Sequence, residues 1–361
     1  MRILVVNAGS SSLKLRLLDG TTLVVDHTIG ADAGHFDEAA LVDALAGLGS
    51  IDGVGHRVVH GGADLVEATP LTPGVLAAIA ALTPLAPLHQ PAALAAITAT
   101  SRQLPGVPAF ACFDTAFHAT LPEEARTYAV PAVWRERHGV RRYGFHGLSH
   151  RWVAGRALEL APPARRLISC HLGSGASLCA IAAGRSVDTT MGMTPLEGLV
   201  MATRSGSVDP GALLVVQERE GLSAAEMYDA LDRQSGMRAL TGSADMREVQ
   251  ARAAAGDPAA VLARAVHVHR LAAGIAAMAA ALGGVDVLAF TGGVGENDAP
   301  LRAATAERLP FLGVVVDPDR NASARPDADL SAAGAPVRTL VIEAREDLEV
   351  ARQVGDVLTR G

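Results

Sequence analysis

The opening sequence MRILVVNAGSSSLKLRLLDG (1–20) decides the course of the fold, because two apolar runs flank a short cluster of Gly and Ser. Apolar runs of this length on either side of turn-forming residues indicate two β-strands joined by a tight turn. A third run, TLVVD (22–26), follows the DG turn, so the chain begins with a three-stranded meander. Lys14, the only lysine in the chain, lies just beyond the Gly/Ser cluster.

A weak internal repeat appears in the middle of the chain. The segment RLISCHLGSGASLCAIAAGRSVDTT (166–190) again runs strand, Gly/Ser turn, strand, Gly turn and strand, and its GSGASL resembles GSSSL (9–13). Strands and helices follow both copies, as expected of two structurally similar halves. A third Gly-rich turn, AFTGGVGEND (289–298), follows another apolar strand. None of the three turns has the GK[ST] ending of a P-loop, and GGVG lacks the spacing of a dinucleotide-binding fingerprint.

Length and composition limit the classes of function. A chain of 361 residues suggests about two domains. The net charge of −7 leaves no basic surface for nucleic acid or an anionic membrane. The three cysteines, Cys112, Cys170 and Cys179, form no CxxC pair, so we expect reduced core residues and a cytoplasmic protein. The weakly polar stretch 271–285 is shorter than a membrane span and predicts a buried helix.

Several other elements follow from the pattern. We expect a helix over 37–48, a strand in GVGHRVVHGG (53–62), a helix capped by Thr72 with Pro73 at its first position, and a strand that runs into Asp114. The segment VIEAREDLEVARQVGDVL (341–358) predicts a C-terminal helix with an apolar face.

Five polar residues are candidates for chemistry, and each also has a structural interpretation. The backbone N–H groups of a Gly/Ser turn can bind an anion, and Lys14 either reaches a phosphate or merely protects a strand edge. Alternation places Arg57 beside Val59 on one strand face, which suits a small carboxylic acid, although an isolated arginine more often extends to solvent. Asp114 is either a metal ligand or a turn residue. Arg204 and His146 lie in loops where a salt bridge or simple packing would also explain them.

Taken together, nine motifs from residue 7 to 346 make the chain resemble the acetate kinase family: NAGSSSLKL, HRVVHGG, PLAPLHQP, FDTAFH, YGFHGLSH, CHLGSG, PLEGLVMATRSG, FTGGVGEN and a late acidic pair. The resemblance implies an α/β fold with two ribonuclease-H-like (actin-like ATPase) domains and an active-site cleft between them. We expect an N-terminal domain of residues 1–115 plus 347–361 and a nucleotide-binding and dimerisation domain of residues 116–346. The implied activity is reversible, Mg²⁺-dependent transfer of the ATP γ-phosphoryl group to acetate by direct in-line transfer, giving acetyl phosphate and ADP, in a cytoplasmic homodimer with no nucleic acid or membrane partner.

The resemblance also implies roles for individual residues. Arg57 and Arg204 would bracket the acetate carboxylate and the phosphoryl group, His146 and Arg204 would stabilise the transition state, and Asp114 would lie near the reacting centre. Mg²⁺, or Mn²⁺ in its place, would be positioned by Asn7 and Glu346. The acetate methyl group would contact Val59, Leu88, Phe145 and Pro195. ATP or ADP would contact Lys14, His171, Leu172, Gly173, Ser174, Gly175, Asp245, Met246, Arg247, Gly292, Gly293, Val294, Gly295, Glu296 and Asn297.

The chain departs from the family pattern at Ser174, Ala63, Ser207 and Asp347, where the family more often has Asn, an acidic residue, Asp and Glu. These changes bear on metal affinity and nucleotide geometry. Two other functions stay open from the sequence: a kinase for propionate or butyrate, since one methylene in an apolar pocket changes binding by only ~1–3 kcal/mol, and a non-catalytic nucleotide-binding protein on the same fold. A pure binder has no need for Arg57, Arg204, His146, Asp114 and Glu346 together.

Overall fold

The structure, a computed structural model, describes residues 1–9, 12–32, 35–87 and 89–360. Its longest strands, of seven to eleven residues, are β1, β2, β3, β8 and β9. In chain order they are β1 Arg2–Ala8, β2 Ser12–Asp19, β3 Thr22–Asp32, β4 His35–Phe36, β5 Gly53–Val58, β6 Thr69–Pro70, β7 Ala109–Phe113, β8 Arg166–Leu172, β9 Ala176–Ala182, β10 Arg185–Thr189, β11 Val287–Thr291, β12 Ala328–Asp329 and β13 Arg338–Val341.

The helices vary from single turns to one of 25 residues. In chain order they are α1 Glu38–Leu45, α2 Pro73–Ala81, α3 Gln90–Gln103, α4 Glu123–Arg126, α5 Ala132–His138, α6 Gly147–Leu160, α7 Pro210–Glu220, α8 Ala224–Arg233, α9 Gly236–Thr241, α10 Met246–Ala254, α11 Pro258–Leu282, α12 Gly292–Asn297, α13 Ala299–Ala306, α14 Pro318–Ser323 and α15 Glu346–Arg360. Short 3₁₀ turns cover Thr83–Leu85, Ala116–Thr120 and Pro310–Leu312.

The two sheets have the same topology. One has the strand order β4-β3-β2-β1-β5-β7-β6 and the other the order β10-β9-β8-β11-β13-β12. In each, an antiparallel meander is extended by two parallel strands, β5 and β7 in the first and β11 and β13 in the second, and a short antiparallel strand closes the edge. The internal repeat expected from the two Gly/Ser turns is therefore confirmed as two copies of one α/β arrangement.

The chain divides into two compact units. The first comprises Met1–Ala119, Phe145–Trp152 and Arg345–Gly361, and the second comprises Thr120–Gly144 and Val153–Ala344. The C-terminal helix α15 returns to the first unit because Val350, Ala351 and Val354 pack on its sheet.

Strand β1 forms the centre of the first unit because both of its faces are apolar. Ile3 and Val5 pack against α15, whereas Leu4 and Val6 join the cluster that includes residues of α1 and α3. A strand covered on both faces has a nearly continuous apolar sequence, as RILVV does. No polar residue stands between Ile3 and Val6, and Asn7 follows near the carboxyl end of the strand.

In the second unit, α11 packs on β9, whose first six residues are buried. Asp257 caps the start of α11, and Gly283, at φ +65°, ends the helix. Within the described residues α11 is the one helix long and apolar enough to cross a membrane. Its Leu271, Ile275 and Met278 are buried in the unit, as the sequence predicts for a core helix.

Most local predictions are confirmed, and one is wrong. Thr72 caps α2 by accepting a hydrogen bond from Val75 N, and the three cysteines are buried and unbridged. The third Gly-rich turn is instead the short helix α12. It forms because the Glu296 carboxylate accepts a hydrogen bond from Gly292 N, 3.0 Å away, and so satisfies a donor that a helix start leaves open.

Two buried histidines make the fold sensitive to acid. His56 on β5 and His267 on α11 are 2% and 4% exposed, and neither ring has a hydrogen-bond partner among the described residues. Burial lowers the pKa of His56 to about 3, and burial with the charge of Arg264 lowers that of His267 to about 4. Both rings are therefore neutral in the folded protein over a pH range in which the unfolded chain, with a histidine pKa of about 6.5, takes up protons.

We expect the stability to fall as the pH drops below about 6.5, and to go on falling until the pH reaches the folded pKa values. Between pH 7 and pH 5 each histidine contributes a loss of about 2 kcal/mol, at about 1.4 kcal/mol per pKa unit. His56→Leu, which puts an apolar side chain of similar size at this position, should remove the part of the stability loss that comes from His56. Urea unfolding midpoints at the two pH values measure it. His138→Leu, at an exposed position of α5, is the control, and an H56L variant that loses as much stability as wild type contradicts the account.

Candidate active site

Lys14, Asn7 and Arg57 stand in one row across the first sheet. The register pairs Asn7 with Lys14 on β2 and with Arg57 on β5. Residues directly opposite on neighbouring strands project to the same face, which here is the face that α15 covers further down with Ile3 and Val5. Lys14 is exposed and makes no salt bridge to the described residues. Its charge thus lies on the same face as Asn7 and Arg57, available for an anion.

The guanidinium of Arg57 is held by three oxygen-bearing side chains. Nη2 and Nε donate to the two carboxylate oxygens of Asp114 at 2.6 and 3.1 Å, and Nη1 donates to Asn7 Oδ1 at 3.2 Å. Glu346 Oε2 lies 3.6 Å from Nε. Burial by itself would lower the pKa of Arg57, but Asp114 and Glu346 together raise it, so the group stays charged. This bidentate pair fixes the plane of the guanidinium.

Asp114 also holds the loop that carries His146. Its backbone carbonyl accepts a hydrogen bond from Gly147 N at 2.8 Å, and a Cβ on Gly147 would come within 2.2 Å of that oxygen. His146 itself has φ +56°, a left-handed conformation that costs a non-glycine residue of order 1–3 kcal/mol. One buried aspartate, 1% exposed, therefore orients Arg57 with its side chain and the strained turn at His146 with its main chain.

Two further histidines, which the sequence did not single out, support Phe145. His118 Nε2 lies 2.9 Å from Phe145 O, and the ring of His60 meets the Phe145 ring edge-on at 5.4 Å. Phe145 is 1% exposed and Val59 9%. The apolar wall expected from these two residues is thus rigid, while Leu88, also assigned to it, lies outside the described residues. The only sequence signal for His118 was its place in FDTAFH.

Arg204 belongs to the second unit and is held by one carboxylate. Its Nε donates to Asp232 Oδ1 at 2.9 Å, and its Nη1 lies 3.5 Å from Pro195 O. Asp232, on α8, is 5% exposed. Nothing in the sequence pattern marked Asp232 as a partner of Arg204, because the two residues are 28 positions apart and both lie in polar surroundings.

The Gly-rich turns of the second unit meet at the carboxyl ends of two parallel strands. His171 on β8 pairs with Thr291 on β11, so the turn of Gly173, Ser174 and Gly175 and the start of α12 leave the sheet side by side. Gly292, at φ +78°, comes so close that a Cβ would be 2.7 Å from Leu172 O. In α/β sheets the carboxyl ends of the strands are the usual ligand-binding edge.

Two charged side chains stabilise this edge through hydrogen bonds to main-chain groups. Glu296 Oε1 accepts from both Gly292 N and Ala344 N, at 3.0 and 2.9 Å, and burial raises its pKa. Arg302, 2% exposed, donates to the carbonyls of Gly295 and Glu296. Sequence reasoning missed Arg302 altogether. Asn297 Nδ2 donates to Gly293 O, so Asn297 and Glu296 both have hydrogen bonds within α12, and Val294 is part of the same helix.

The third predicted nucleotide contact lies at the start of α10. Asp245 caps that helix by accepting from Arg247 N, and its carboxylate pairs with the Arg247 side chain at 2.7 Å. The hydrogen bond from that side chain is the main reason why the pKa of Asp245 falls to about 2. Among the described residues, the side chains of Asp245 and Arg247 hydrogen-bond to each other or to the start of their own helix, and no hydrogen bond links them to the Gly-rich turns.

The residues expected to position Mg²⁺ are oxygen donors on either side of Arg57. Asn7 Oδ1 and Glu346 Oε2 both contact the same guanidinium. Within the described residues no group of three His, Cys, Asp or Glu forms a ready metal cage. Mg²⁺ commonly takes only one or two carboxylates and fills its other positions with water and phosphate oxygens, so Asn7 and Glu346 fit this ion. The neighbouring Asp347 is occupied by Arg345 and Arg16, at 3.0 and 3.4 Å.

Known proteins of similar sequence and fold cover nearly the whole chain. The model of the acetokinase family matches residues 36–352. An acetate kinase of Leifsonia xyli subsp. xyli (strain CTCB07) is 46% identical, with 99% of each chain covered. A crystal structure of the Porphyromonas gingivalis acetate kinase superposes with a TM-score of 0.91 at 37% identity, covering 99% of both chains. A propionate kinase from Francisella tularensis subsp. tularensis SCHU S4 gives a TM-score of 0.90 at 34% identity, covering 98% of both. The fold is that of the acetate and propionate kinases, and the chain belongs to the acetokinase family.

Proposed function

We propose that this protein transfers the γ-phosphoryl group of ATP to acetate, giving acetyl phosphate and ADP, and catalyses the reverse reaction. The observation that carries the proposal is the row of Lys14, Asn7 and Arg57 beside Glu346, with Arg57 locked by Asp114. Such a row offers fixed positive charge and oxygen ligands at one place, which phosphoryl transfer to an anion requires.

The chemistry of the acceptor explains why no general base is needed. A carboxylate with a pKa near 4 is already ionised at neutral pH. The barrier lies in bringing it against an anionic phosphoryl group, so the protein has to supply position and positive charge. Arg57 and Arg204 bracket the reacting groups in this proposal, and His146 donates a hydrogen bond to the phosphoryl group as charge moves to its oxygens.

Asp114 acts in this scheme by orienting Arg57 and the turn before α6. Asn7 and Glu346 hold Mg²⁺, or Mn²⁺ in its place. The bound cation supplies charge neutralisation at the phosphate oxygens. The backbone N–H groups of 173–175 bind the phosphates of the nucleotide, with His171 and Leu172 beside them, and 245–247 and 292–297 contact its adenine and ribose. The two compact units correspond in this proposal to the two ribonuclease-H-like domains.

The two arginines test this function directly. Arg57→Ala and Arg204→Ala should each lower kcat by roughly 10³-fold or more, because arginines that neutralise phosphoryl-transfer charge contribute that much. Trapping acetyl phosphate as its hydroxamate, with ATP and Mg²⁺ present, measures the rate, and ATP hydrolysis without acetate is the blank. Arg102→Ala, which removes an exposed pair with Glu38, is the matched control. A near-normal rate in R57A or R204A would remove that residue from the mechanism.

Acetate is the proposed acceptor, with propionate as the second candidate. Val59 and Phe145, both buried, favour the smaller acid, whereas the similarity to a propionate kinase keeps the larger one open. We expect kcat/KM to fall from acetate to propionate to butyrate. The decrease should be about 10-fold or more for each added methylene that the apolar wall does not accommodate. Steady-state kinetics with the three acids measures the order. A higher kcat/KM for propionate than for acetate would make this a propionate kinase.

We also propose a homodimer that forms through α7. Within the described residues this helix buries none of its eleven positions, and Leu214, Val215 and Val216 are 65%, 46% and 46% exposed. These consecutive side chains spread over more than one side of the helix, and an exposed apolar patch of this kind marks an interface. We place this dimer in the cytoplasm, because Cys112, Cys170 and Cys179 are buried and unbridged as that compartment allows.

Leu214→Glu should convert the dimer to a monomer, because it places a charge in an interface that depends on apolar burial. Sedimentation velocity at micromolar concentration measures the mass. Val133→Glu introduces the same charge on the exposed helix α5 and should leave the dimer intact. If wild-type protein sediments as a monomer, or if L214E stays dimeric, α7 is not the interface.

A further inference from the structure

The loop that carries Arg204 is fixed by main-chain bonds. Residues 201–205 are tied to the end of α8 and the start of α9 by hydrogen bonds of 2.9 to 3.1 Å, from Ser205 N to Leu231 O, Ser235 N to Thr203 O, Met237 N to Met201 O and Arg238 N to Ala202 O. Gly236, at φ +63°, allows the close approach, since a Cβ there would be 2.2 Å from Met201 O. None of these bonds uses a side chain of α8. The place of the loop is therefore set without the help of the Asp232 carboxylate.

The guanidinium of Arg204, by contrast, depends on that carboxylate. Asp232 Oδ1 accepts from Nε at 2.9 Å, and this is the one salt bridge of Arg204 among the described residues. Nη1 has only distant neighbours, Pro195 O at 3.5 Å and Met201 Sδ at 4.0 Å. Nη2 has no hydrogen bond to the described residues. The pair thus fixes the guanidinium by its inner nitrogen and leaves its outer edge for an anion.

The guanidinium of Arg57 differs from that of Arg204 in the number of its hydrogen bonds. All three of its nitrogens donate to Asp114 or Asn7. The contrast indicates different tasks, because an anion can form a two-bonded contact only with an edge that the protein leaves open.

We propose that Asp232 is the positioning residue for Arg204, holding its guanidinium by Nε so that Nη1 and Nη2 face the transferring phosphoryl group or the acetate carboxylate. The inference rests on the proposed function. Tyr228 lies one helical turn before Asp232. Burial raises the pKa of Tyr228, the charge of Asp232 raises it further, and the charge of Arg204 lowers it.

A double-mutant cycle tests the proposal. Asp232→Ala should lower kcat by about 10- to 100-fold, because a catalytic group misplaced by about 1 Å costs up to about 10²-fold. The KM for ATP should stay unchanged. Asp232→Asn keeps an acceptor oxygen and should recover activity to within about fivefold of wild type. In an Arg204→Ala background, Asp232→Ala should change kcat/KM by less than about twofold, because Asp232 then has nothing left to position.

Two further variants separate positioning from folding. Asp232→Glu keeps the charge but moves the carboxylate by one methylene, so a positioning role predicts a loss of kcat with the thermal midpoint unchanged. Asp229→Asn, an acid-to-amide change at a 43% exposed side chain on the same helix, is the matched control and should behave as wild type. If D232A unfolds, D232E and D232N carry the test.

The outcomes distinguish the two proposals. An active wild-type enzyme with a normal rate in D232A or D232E overturns the role of Asp232 and leaves the proposed function standing. Additive losses in the double mutant overturn it as well, because Asp232 would then act independently of Arg204. Failure of the wild-type protein to form acetyl phosphate overturns the proposed function itself.

Discussion

The pair between Arg57 and Asp114 is the interaction on which the site in the first unit depends. Asp114 is 1% exposed, and its two carboxylate oxygens fix the guanidinium plane. The same residue accepts Gly147 N through its carbonyl and so stabilises His146 at φ +56°. Because one residue controls both groups, a shift of the strand end at Asp114 would displace the arginine and the histidine together.

The repeated topology explains why these polar residues stand where they do. In both sheets the central strand is buried along most of its length, and a polar side chain that is only partly buried stands near its carboxyl end, Asn7 on β1 and His171 on β8. The next parallel strand ends beside it in each case, at Arg57 and at Thr291. The first copy supplies side-chain charge, whereas the second supplies main-chain N–H groups from Gly-rich segments. In the proposed function, one arrangement thus serves two kinds of anion binding.

The sequence predicted what depends on local pattern and missed what depends on distant pairing. Apolar alternation, the cap at Thr72 and the two Gly/Ser turns gave the strands, the helices and the repeat. The sequence predicted a turn at α12 because the segment is rich in glycine. The hydrogen bond from Gly292 N to the Glu296 carboxylate, which supports the helix, has no signal in that composition. Asp232 and Arg302 were missed for a similar reason. Their partners lie far away in sequence or are main-chain carbonyls, and neither contact has a periodic signature.

Energetics support a positioning role for the buried pairs over a purely stabilising one. Desolvating two charges can cost more than their attraction returns, and apolar residues of similar size often give equal or greater stability. Removing one partner alone is costly, since it leaves a charge buried without compensation. The pairs at Arg57 and Arg204, with aspartates 1% and 5% exposed, carry that cost in both units. What they provide in return is direction: a guanidinium held at Nε keeps a fixed plane without relying on flexible rotamers. The two arginines differ in what that fixed plane offers an anion: all three nitrogens of Arg57 donate to Asp114 or Asn7, so it presents charge without an open edge, whereas Arg204 is held at Nε and keeps its outer edge open.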